Sequence, residues 1–380
     1  MAKENKKTIV LFALASFLND LGSDMIFPIW PFFITTFLGA NMTVLGFIDG
    51  IGEAVVSLAQ AGAGFFSDKI KKRKVFIWTG YLFSALSRLG YAFSAIFTHA
   101  LFFRILDRLG KIRGAPRDAI IADLSTREDR GQNFGLLRML DNLGAVGGII
   151  LCLLLFEILG YRKLFLLAAI PSFISVFLIF FGIKEKRAVE FKIHPGLSLA
   201  NLNRDLKIFL FSSALFALGS FSYSFLLIYA KEFEFQIKYI PLLYLLFTAL
   251  AFLFSLPFGW LADKRGRKFV LVLAYFFWGL VCLTFIYRQS YPAIFLAFIL
   301  YGLHKGALEP AQRALVSELA PAAYRASILG GFQMLLGLCA LPASFLAGLL
   351  WEKVSLFTPL YFSLGLTALA LITLGLVKER

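Results

Sequence analysis

Long apolar runs separated by short polar segments extend along the whole chain. A helix that crosses a bilayer needs about 20 apolar residues, and ten runs reach this length. They lie at residues 8–37, 43–67, 75–97, 133–157, 162–183, 206–230, 238–262, 269–288, 325–350 and 356–377. Two further stretches, 100–123 and 291–318, begin apolar and end polar. The pattern predicts an all-α membrane protein with two crossings that hydropathy alone leaves open.

The charges of the loops decide how these two stretches are interpreted. Basic residues collect in alternate loops, as in KIKKRK at 69–74 and DKRGRK at 263–268, whereas LGANMT, IFTHA and RQSYP are nearly free of them. Lys and Arg concentrate in the cytoplasmic loops of membrane proteins. The basic loops share one side only if both stretches cross the membrane. We therefore predict twelve transmembrane helices with both termini in the cytoplasm.

An internal repeat supports the same count. GFFSDKIKKRK begins at Gly64 and GWLADKRGRK begins at Gly259, an offset of 195 residues (259 minus 64). The same offset pairs Asp123 with Glu318. One register kept across separate segments indicates two homologous halves.

Each half is predicted to contain six spans. The halves are residues 1–183 and 206–380, and the polar linker 184–205 joins them. The two uncertain stretches then become the fourth helix of each half. Polar, Gly/Pro-interrupted helices at matching places in two repeats indicate the binding site of a secondary transporter.

The composition fits a protein that crosses a bilayer many times. The 380 residues are 59% hydrophobic and 16% charged, with a mean hydropathy of +0.79. We assign the net charge of +15 to the basic loops rather than to binding of nucleic acid. Cys152, Cys282 and Cys339 lie in apolar runs, which favours packing over disulfides or metal binding. Neither a P-loop for ATP nor a soluble domain of enzyme size is present, so we predict no enzymatic activity and no cofactor.

The loop after the second span of each half carries a recognisable pattern, G-x-x-x-D-[RK]-x-G-[RK]-[RK]. The second copy, from Gly259 to Lys268, is complete, whereas the first has Lys71 where the pattern has its second glycine. This pattern resembles the signature loop of the major facilitator superfamily, and the resemblance covers the whole chain. A prokaryotic subgroup of that family is similar in the segments SFLNDLGSDMIFP (16–28), LDRLGKIRGAPRDAIIAD (106–123) and DRGQNFGLLRMLDNLGA (129–145).

The resemblance implies two six-helix bundles in which the first, fourth, seventh and tenth helices line a central cavity. Asp20 and Asp24 lie one turn apart on the first helix, and Asp49 and Glu53 repeat that spacing on the second. Unpaired carboxylates inside a membrane are costly and usually functional. We expect these acids to couple protons or to bind cationic groups, or else to form structural ion pairs with the bases of the fourth helix.

Charged residues form a single stripe on the fourth helix, with spacings of i, i+3, i+4 and i+7. The stripe consists of Arg104, Asp107, Arg108 and Lys111. If these residues faced lipid at the bilayer centre, each would cost about 2.5–3.5 kcal/mol, so we expect them to line a cavity. The resemblance implies a role in proton coupling for Arg104.

Further charges lie on the fifth and tenth helices. Arg138 and Asp141 are three residues apart, so they either join the site or neutralise each other. His304, Lys305 and Glu309 form the counterpart of the stripe on the tenth helix. The ordinary pKa of histidine lies near neutral, so His304 is a candidate proton carrier or a hydrogen-bonded spacer.

The resemblance also implies a cytoplasmic latch, in which the aspartates of the signature loops pair with arginines and with a helix N-terminus. The residues predicted to take part in gating are Gly64, Asp68, Lys69, Arg113, Arg117, Asp118, Gly259, Asp263, Lys264, Gly266 and Arg267.

Together these features predict a secondary active transporter of the cytoplasmic membrane. It would act in the lipid bilayer as a monomer and move a small-molecule substrate by alternating access, with proton-coupled efflux as the expected mode. Two alternatives remain open at this point. One is an exporter of divalent metal ions or siderophore-type compounds, and the other is a membrane sensor that uses the same scaffold without transport.

Overall fold

The computed structural model describes residues 2–70, 72–126, 129–183, 202–321 and 324–379. These residues are helical almost throughout and include no β-strand. Eight segments among them are long and apolar enough to cross a membrane. The predicted all-α class is confirmed.

The helices before the predicted linker are α1 (Ala2–Asp24), α2 (Trp30–Phe32), α3 (Met42–Ile70), α4 (Arg73–Phe93), α5 (Phe97–Leu109), α6 (Gly114–Leu124) and α7 (Arg130–Gly182). A π-helical turn, Phe33–Phe37, follows α2, and a 3-10 turn, Gly110–Arg113, joins α5 to α6. The helices after it are α8 (Arg204–Gly219), α9 (Tyr223–Glu232), α10 (Ile240–Arg265), α11 (Arg267–Tyr287), α12 (Tyr291–Leu319), α13 (Arg325–Lys353) and α14 (Thr358–Gly375).

The chain divides into two compact units. The first consists of Met1–Ala40 and Val55–Ile193, and the second consists of Asn41–Ala54 and His194–Arg380. The sequence repeat assigns all of α3 to the first half, whereas its beginning belongs with the second unit. The predicted linker, 184–205, lies outside the described residues as far as position 201.

The two stretches that hydropathy left open fold differently from each other. Residues 291–318 lie in the continuous helix α12, which is one of the eight candidate spans. Residues 100–123 form α5, the 3-10 turn and α6 instead of one regular helix. The count of twelve transmembrane helices stays a prediction.

Gly160 divides α7 between two spans that the sequence predicts separately, 133–157 and 162–183. Its φ of +63° and ψ of −175° interrupt the helical geometry. Glycine adopts positive φ without the steric cost that a Cβ imposes. The boundary between the two predicted spans is therefore set at a residue that permits a sharp change of direction.

Helices are interrupted at the same position of both sequence repeats. α1 ends at Asp24 and α2 begins at Trp30, while α8 ends at Gly219 and α9 begins at Tyr223. Adding the repeat offset of 195 to 24 gives 219, the last residue of α8. Interrupted helices at matching places are a feature of binding sites in secondary transporters. This pair was not singled out by the sequence pattern, which pointed to the fourth helix of each half.

Apolar packing holds the interrupted helices within each unit. In the first unit, α1 and α4 pack against α7 around a buried core that includes Phe12, Tyr81 and Leu137. In the second unit, the interrupted helix α8 packs against α14, and α12 packs against both α10 and α11. There the indole of the buried Trp278 donates a hydrogen bond to the Ser363 hydroxyl at 2.8 Å.

The 3-10 turn after α5 crosses α4 at very short range. A Cβ on Gly80 would lie 2.6 Å from the carbonyl oxygen of Gly110 and 2.8 Å from the Cβ of Arg113. Both glycines are needed because their backbones approach more closely than any side chain would permit. This crossing fixes where the charged residues of α5 and the 3-10 turn lie.

Gly80→Ala is expected to lower the midpoint of thermal unfolding of the detergent-purified protein, because overpacking of this kind costs about 1–3 kcal/mol. Gly365→Ala in α14 is the control, since a Cβ there would meet nothing within 4 Å and alanine favours helix by about 1 kcal/mol over glycine. Equal midpoints for the two variants would contradict the close crossing.

Candidate functional site

The acidic pair of the first unit lies where α1 is interrupted. Asp24 is the last residue of α1 and is 9% exposed. The amide of Asn19 donates a hydrogen bond to Asp20 at 3.0 Å. The charged groups that act on Asp24 are Asp20, Lys111, Arg88 and Arg108. The structure therefore brings the predicted acids of the first helix together with bases of the fourth.

Arg88 on α4 is buried and is surrounded by neutral oxygen atoms. Its guanidinium donates hydrogen bonds to Asn19 at 3.1 Å, to the Ser23 hydroxyl at 2.5 Å and to the Ser172 hydroxyl. These acceptors come from α1 and α7, so one side chain joins three helices. Neutral acceptors satisfy the N–H groups while leaving the full positive charge in place. Arg88 is thus a fixed source of positive potential beside Asp24.

The predicted charged stripe is kept, with three buried members on α5 and one half-buried member in the 3-10 turn. Its members are Arg104, Asp107, Arg108 and Lys111. The Arg104 guanidinium lies 4.6 Å from the centre of the Trp30 ring, and the Arg108 guanidinium lies 5.2 Å from that of Phe27. Cation–π contacts of this kind stabilise arginines away from water. The stripe therefore packs against the segment in which α1 is interrupted.

Arg113 and Arg117 are buried in the first unit and each is held by a serine. Arg113 donates to Ser84 at 3.1 Å and to the Gly110 carbonyl at 2.7 Å. Arg117 donates to Ser16 at 2.8 Å and pairs with the adjacent Asp118 at 3.0 Å. These contacts connect the fourth-helix region to α4 and α1. The gating role of Arg113, Arg117 and Asp118 stays a prediction.

Arg138 and Asp141 on α7 lie close enough for mutual neutralisation. The distance between the guanidinium and the carboxylate is 3.6 Å, and the Arg138 side chain is 65% exposed. Asp141 also interacts with Arg117 and with the Ser16 hydroxyl. Of the two, Asp141 is the one connected to the buried charges.

Asp49 lies at the interruption between α8 and α9 in the second unit. Its carboxylate accepts a hydrogen bond from the Ser222 hydroxyl at 2.7 Å. The Ser222 backbone N–H donates to Ser344 at 3.2 Å, and Ser222 caps α9 through the Ser224 N–H. A carboxylate beside a helix N-terminus is stabilised by the helix dipole. Asp49 therefore belongs to the second interrupted helix, although the sequence assigns it to the first half.

The beginning of α3 is held against α13 by close backbone contacts. A Cβ on Gly50 would lie 2.7 Å from the Cα of Leu341, and a Cβ on Gly348 would lie 2.7 Å from the Cα of Thr43. The Met42 N–H also donates to the Glu352 carboxylate at 2.7 Å. These contacts hold the beginning of α3 in place, and so they position Asp49 beside the start of α9.

The remaining predicted residues of the tenth helix separate into two groups. Lys305 interacts electrostatically with Glu53 and Glu309, and its ammonium lies 5.6 Å from the ring centre of Tyr301. His304 is fully buried and its Nδ1 is 2.7 Å from the Ala274 carbonyl oxygen. The His304 ring packs among the aromatic side chains of Phe216, Trp278 and Tyr301. The structure thus brings Lys305, Glu309 and Glu53 together and places His304 in a packed core.

Each signature loop contributes a base that forms an ion pair; the acids of the two pairs are equivalent in the repeat, and the bases differ by one position. In the second unit, Arg267 lies 3.6 Å from Asp263 and 2.7 Å from Glu318. In the first unit, Arg73 lies 2.6 Å from Asp123. Asp123 and Glu318 are the acids that the offset of 195 pairs. The start of the third helix is therefore tied to the end of the fourth in each unit.

Glu379 adds a further contact to the second signature loop. Its carboxylate accepts hydrogen bonds from the backbone N–H groups of Arg267 and Lys268, the latter at 3.2 Å. The Lys268 ammonium donates to the Gly375 carbonyl at 2.7 Å. Gly266, with φ of +96°, permits the turn that aims these N–H groups at the carboxylate.

The other predicted gating residues make fewer described contacts. A Cβ on Gly64 would lie at an ordinary 3.6 Å from that of Ala115, and one on Gly259 would meet nothing within 4 Å. Lys69 and Lys264 are exposed. The side chain of Asp68 lies outside the described part of the chain.

Sequence reasoning missed the neutral groups that hold Arg88. These are Asn19, Ser23 and Ser172, all buried. Asn19 and Ser23 are four residues apart beside the acidic pair, so a continuous polar face on α1 was the available signal. Ser172 had none, because its partner lies 84 residues away.

Three sequence comparisons place the chain among known proteins. The family described as Major Facilitator Superfamily matches residues 12–202 and 208–380. The chain is 39% identical to the uncharacterized MFS-type transporter MJ1317 of Methanocaldococcus jannaschii over 370 residues, which cover 95% of this chain and 92% of that relative. It is 25% identical to the multi-drug resistance efflux pump PmrA of Streptococcus pneumoniae serotype 4 over 327 residues, 81% of this chain and 80% of the pump.

Solved structures share the fold. The crystal structure of the nucleoside transporter NupG aligns with a TM-score of 0.80 at 16% identity and covers 98% of this chain and 100% of its own. A bacterial homolog of the human lysosomal transporter Spinster aligns with a TM-score of 0.73 at 13% identity, over 98% and 95% of the two chains. Similarity at these identities concerns the fold alone.

Arg88→Met is expected to lower the thermal unfolding midpoint, because it leaves three buried polar groups without their donor. A hydrogen bond from a charged donor contributes about 1.5–3 kcal/mol, although the Ser23 and Ser172 hydroxyls keep their own bonds to the carbonyl oxygens of Asn19 and Ala168. Arg138→Met is the matched control, since that side chain is 65% exposed. If both variants unfolded at the same temperature, the joining role of Arg88 would be wrong.

Proposed function

The chain belongs to the major facilitator superfamily, and from that premise we propose that it is a secondary active transporter that exports a small solute by alternating access, driven by protons. The observation that carries the proposal is the acidic pair at the interruption of α1, set among bases. Asp20 and Asp24 interact with each other and with Lys111. Taking up or releasing a proton there changes the charge of a buried cluster.

The physical basis is the strength of electrostatic interactions away from water. Two unit charges 4 Å apart interact with about 1 kcal/mol in bulk water and about 4 kcal/mol at an effective dielectric constant of 20. A proton on Asp24 removes its attraction to Lys111 and Arg108, which act on it. Loading one proton therefore weakens the contacts between α1 and the fourth-helix region, which is the kind of differential interaction that shifts a conformational equilibrium.

The direction of transport is supported by the names of relatives. PmrA is a multi-drug resistance efflux pump, and a segment of 138 residues is 33% identical to the multidrug resistance protein MdtH of Photorhabdus laumondii subsp. laumondii. We propose efflux on this ground. We also propose twelve crossings in two halves of six, cytoplasmic termini, residence in the cytoplasmic membrane and a monomeric state, as the loop charges and the repeat predict.

The two alternative functions have less support from the described residues. Export of divalent metal requires several ligands in one place, and no group of three His, Cys, Asp or Glu in the described part of the chain could hold a metal ion. A membrane sensor without transport would tolerate neutralisation of the acidic pair. Flux measurements separate the sensor from the transporter.

Asp24→Asn is expected to reduce solute flux driven by an imposed pH gradient in proteoliposomes at least tenfold. Ethidium and carboxyfluorescein serve as cationic and anionic probes, and entrapped pyranine reports proton movement. Asp129→Asn is the control, because the Asp129 carboxylate accepts a hydrogen bond from the Thr126 N–H in an exposed loop and is not part of the acidic pair. Flux that ignored both the gradient and Asp24→Asn would contradict proton coupling at α1.

The ion pair of the second signature loop offers a charge-reversal test of gating. Arg267→Glu is expected to slow flux because it replaces the base that lies 2.7 Å from Glu318 with a second acid, and Glu318→Arg in the same protein is expected to restore at least half of the rate. Arg265→Glu, at an exposed neighbour, is the control. A double variant as slow as the single one would exclude this pair as a gating contact.

A further inference from the structure

We infer that the exported substrate carries an oxyanion, a carboxylate or a phosphate, and that Arg104 and Arg108 receive it beside the interruption between α1 and α2. The inference rests on the proposed transport function and names its substrate class. It is drawn from the geometry of two arginines, the charge balance around them and the internal repeat.

The two guanidinium groups lie against aromatic rings, which restricts their movement. Arg104 lies over Trp30 at 4.6 Å and over Phe27 at 5.6 Å, while Arg108 lies over Phe27 at 5.2 Å. Arg104 and Arg108 are 2% and 7% exposed. A planar guanidinium that is already oriented loses little freedom when it binds a carboxylate or phosphate through two N–H groups. Lysine offers no equivalent fork.

Charge balance around these arginines favours an anion. The groups that interact with Asp24 or Asp107 comprise four bases, and the acids in the same cluster number three. The bases are Arg88, Arg104, Arg108 and Lys111, and the acids are Asp20, Asp24 and Asp107. With every group ionised the difference is four minus three, or one positive charge. One bound monoanion brings the cluster to neutrality, which lowers the cost of burying it.

The second repeat has apolar residues at the positions of these arginines. The offset of 195 places Ile299 opposite Arg104 and Leu303 opposite Arg108. Both apolar residues lie in α12, which is a continuous helix. The equivalent segment of the second repeat is thus helical without charges at these positions, which suggests to us that the two buried arginines serve a function other than helix formation.

An organic cation is disfavoured at the same place. Aromatic rings attract cations through their faces, but the faces of Phe27 and Trp30 already carry the protein's own guanidinium groups. Lys111 adds a further positive charge that would repel a cation. Discrimination through such repulsion is a common basis of specificity.

Binding tests this inference without requiring transport. The thermal unfolding midpoint of the detergent-purified protein is measured with benzoate, phosphate, benzamide or benzylammonium, at one pH and with ionic strength balanced by NaCl. Benzoate or phosphate is expected to raise the midpoint by roughly 3 °C, while benzamide and benzylammonium leave it unchanged. The first two ligands distinguish a carboxylate site from a phosphate site.

Conservative variants locate the site. Arg104→Lys and Arg108→Lys keep the charge and remove the planar fork, so each is expected to abolish at least half of the anion-induced rise. Arg162→Lys is the matched control, because Arg162 lies over Phe37 at 5.4 Å and is exposed. If one variant fails to fold, the other variant and the four-ligand comparison on the unaltered protein still test whether these arginines bind an oxyanion.

Three results would overturn the inference. They are the absence of a shift with either anion, a larger shift with benzylammonium than with benzoate, and an anion shift that survives both lysine variants. Ethidium flux without anion binding would keep the proposed transport and reject the oxyanion substrate. Anion binding that needs the arginines, without gradient-driven flux of any probe, would keep the site and reject proton-driven export.

Discussion

The cost of placing a charge in a bilayer governs how the first unit is built. Each charge facing lipid at the bilayer centre costs about 2.5–3.5 kcal/mol, so the charges of α1, α4 and α5 lie against one another instead. Neutral oxygens hold Arg88 between three helices, and aromatic rings cover Arg104 and Arg108. The interruption of α1 at Asp24 then places a carboxylate where these positive charges converge.

The two repeats share a framework but differ in chemistry. Both interrupt their first helix at the same position, and both tie the start of the third helix to the end of the fourth through an ion pair. The charge group at the interruption is confined to the first repeat, because Gly219 stands opposite Asp24 and Leu283 opposite Arg88. At the second interruption, the polar contact is instead a hydrogen bond from the Ser222 hydroxyl to Asp49 of α3. A duplicated scaffold thus carries two different polar sites.

Much of this arrangement could be predicted from the sequence, and the limits have physical causes. Apolar length predicted the helical class, the repeat predicted that Asp123 and Glu318 occupy equivalent positions of the two halves, and helical spacing predicted the stripe from Arg104 to Lys111. The interruption of α1 was missed because hydropathy averages over a turn. The contact of Asp49 with Ser222 could not be predicted, because a continuous helix can pack its two ends against different partners. No sequence pattern could supply contacts between distant positions, such as Arg88 with Ser172.

We claim above all that the charges around the interruption of α1, most of which lie buried against one another, are reached by water from within the protein and not by lipid. The most direct measurement is the labelling rate of single cysteines by a membrane-impermeant methanethiosulfonate reagent in inside-out vesicles, after replacement of Cys152, Cys282 and Cys339. Lys111→Cys is expected to react at least tenfold faster than Leu109→Cys, because Leu109 is an apolar residue outside the charged stripe, 37% exposed, and we expect it to face lipid. Equal rates, or faster labelling at position 109, would contradict the account.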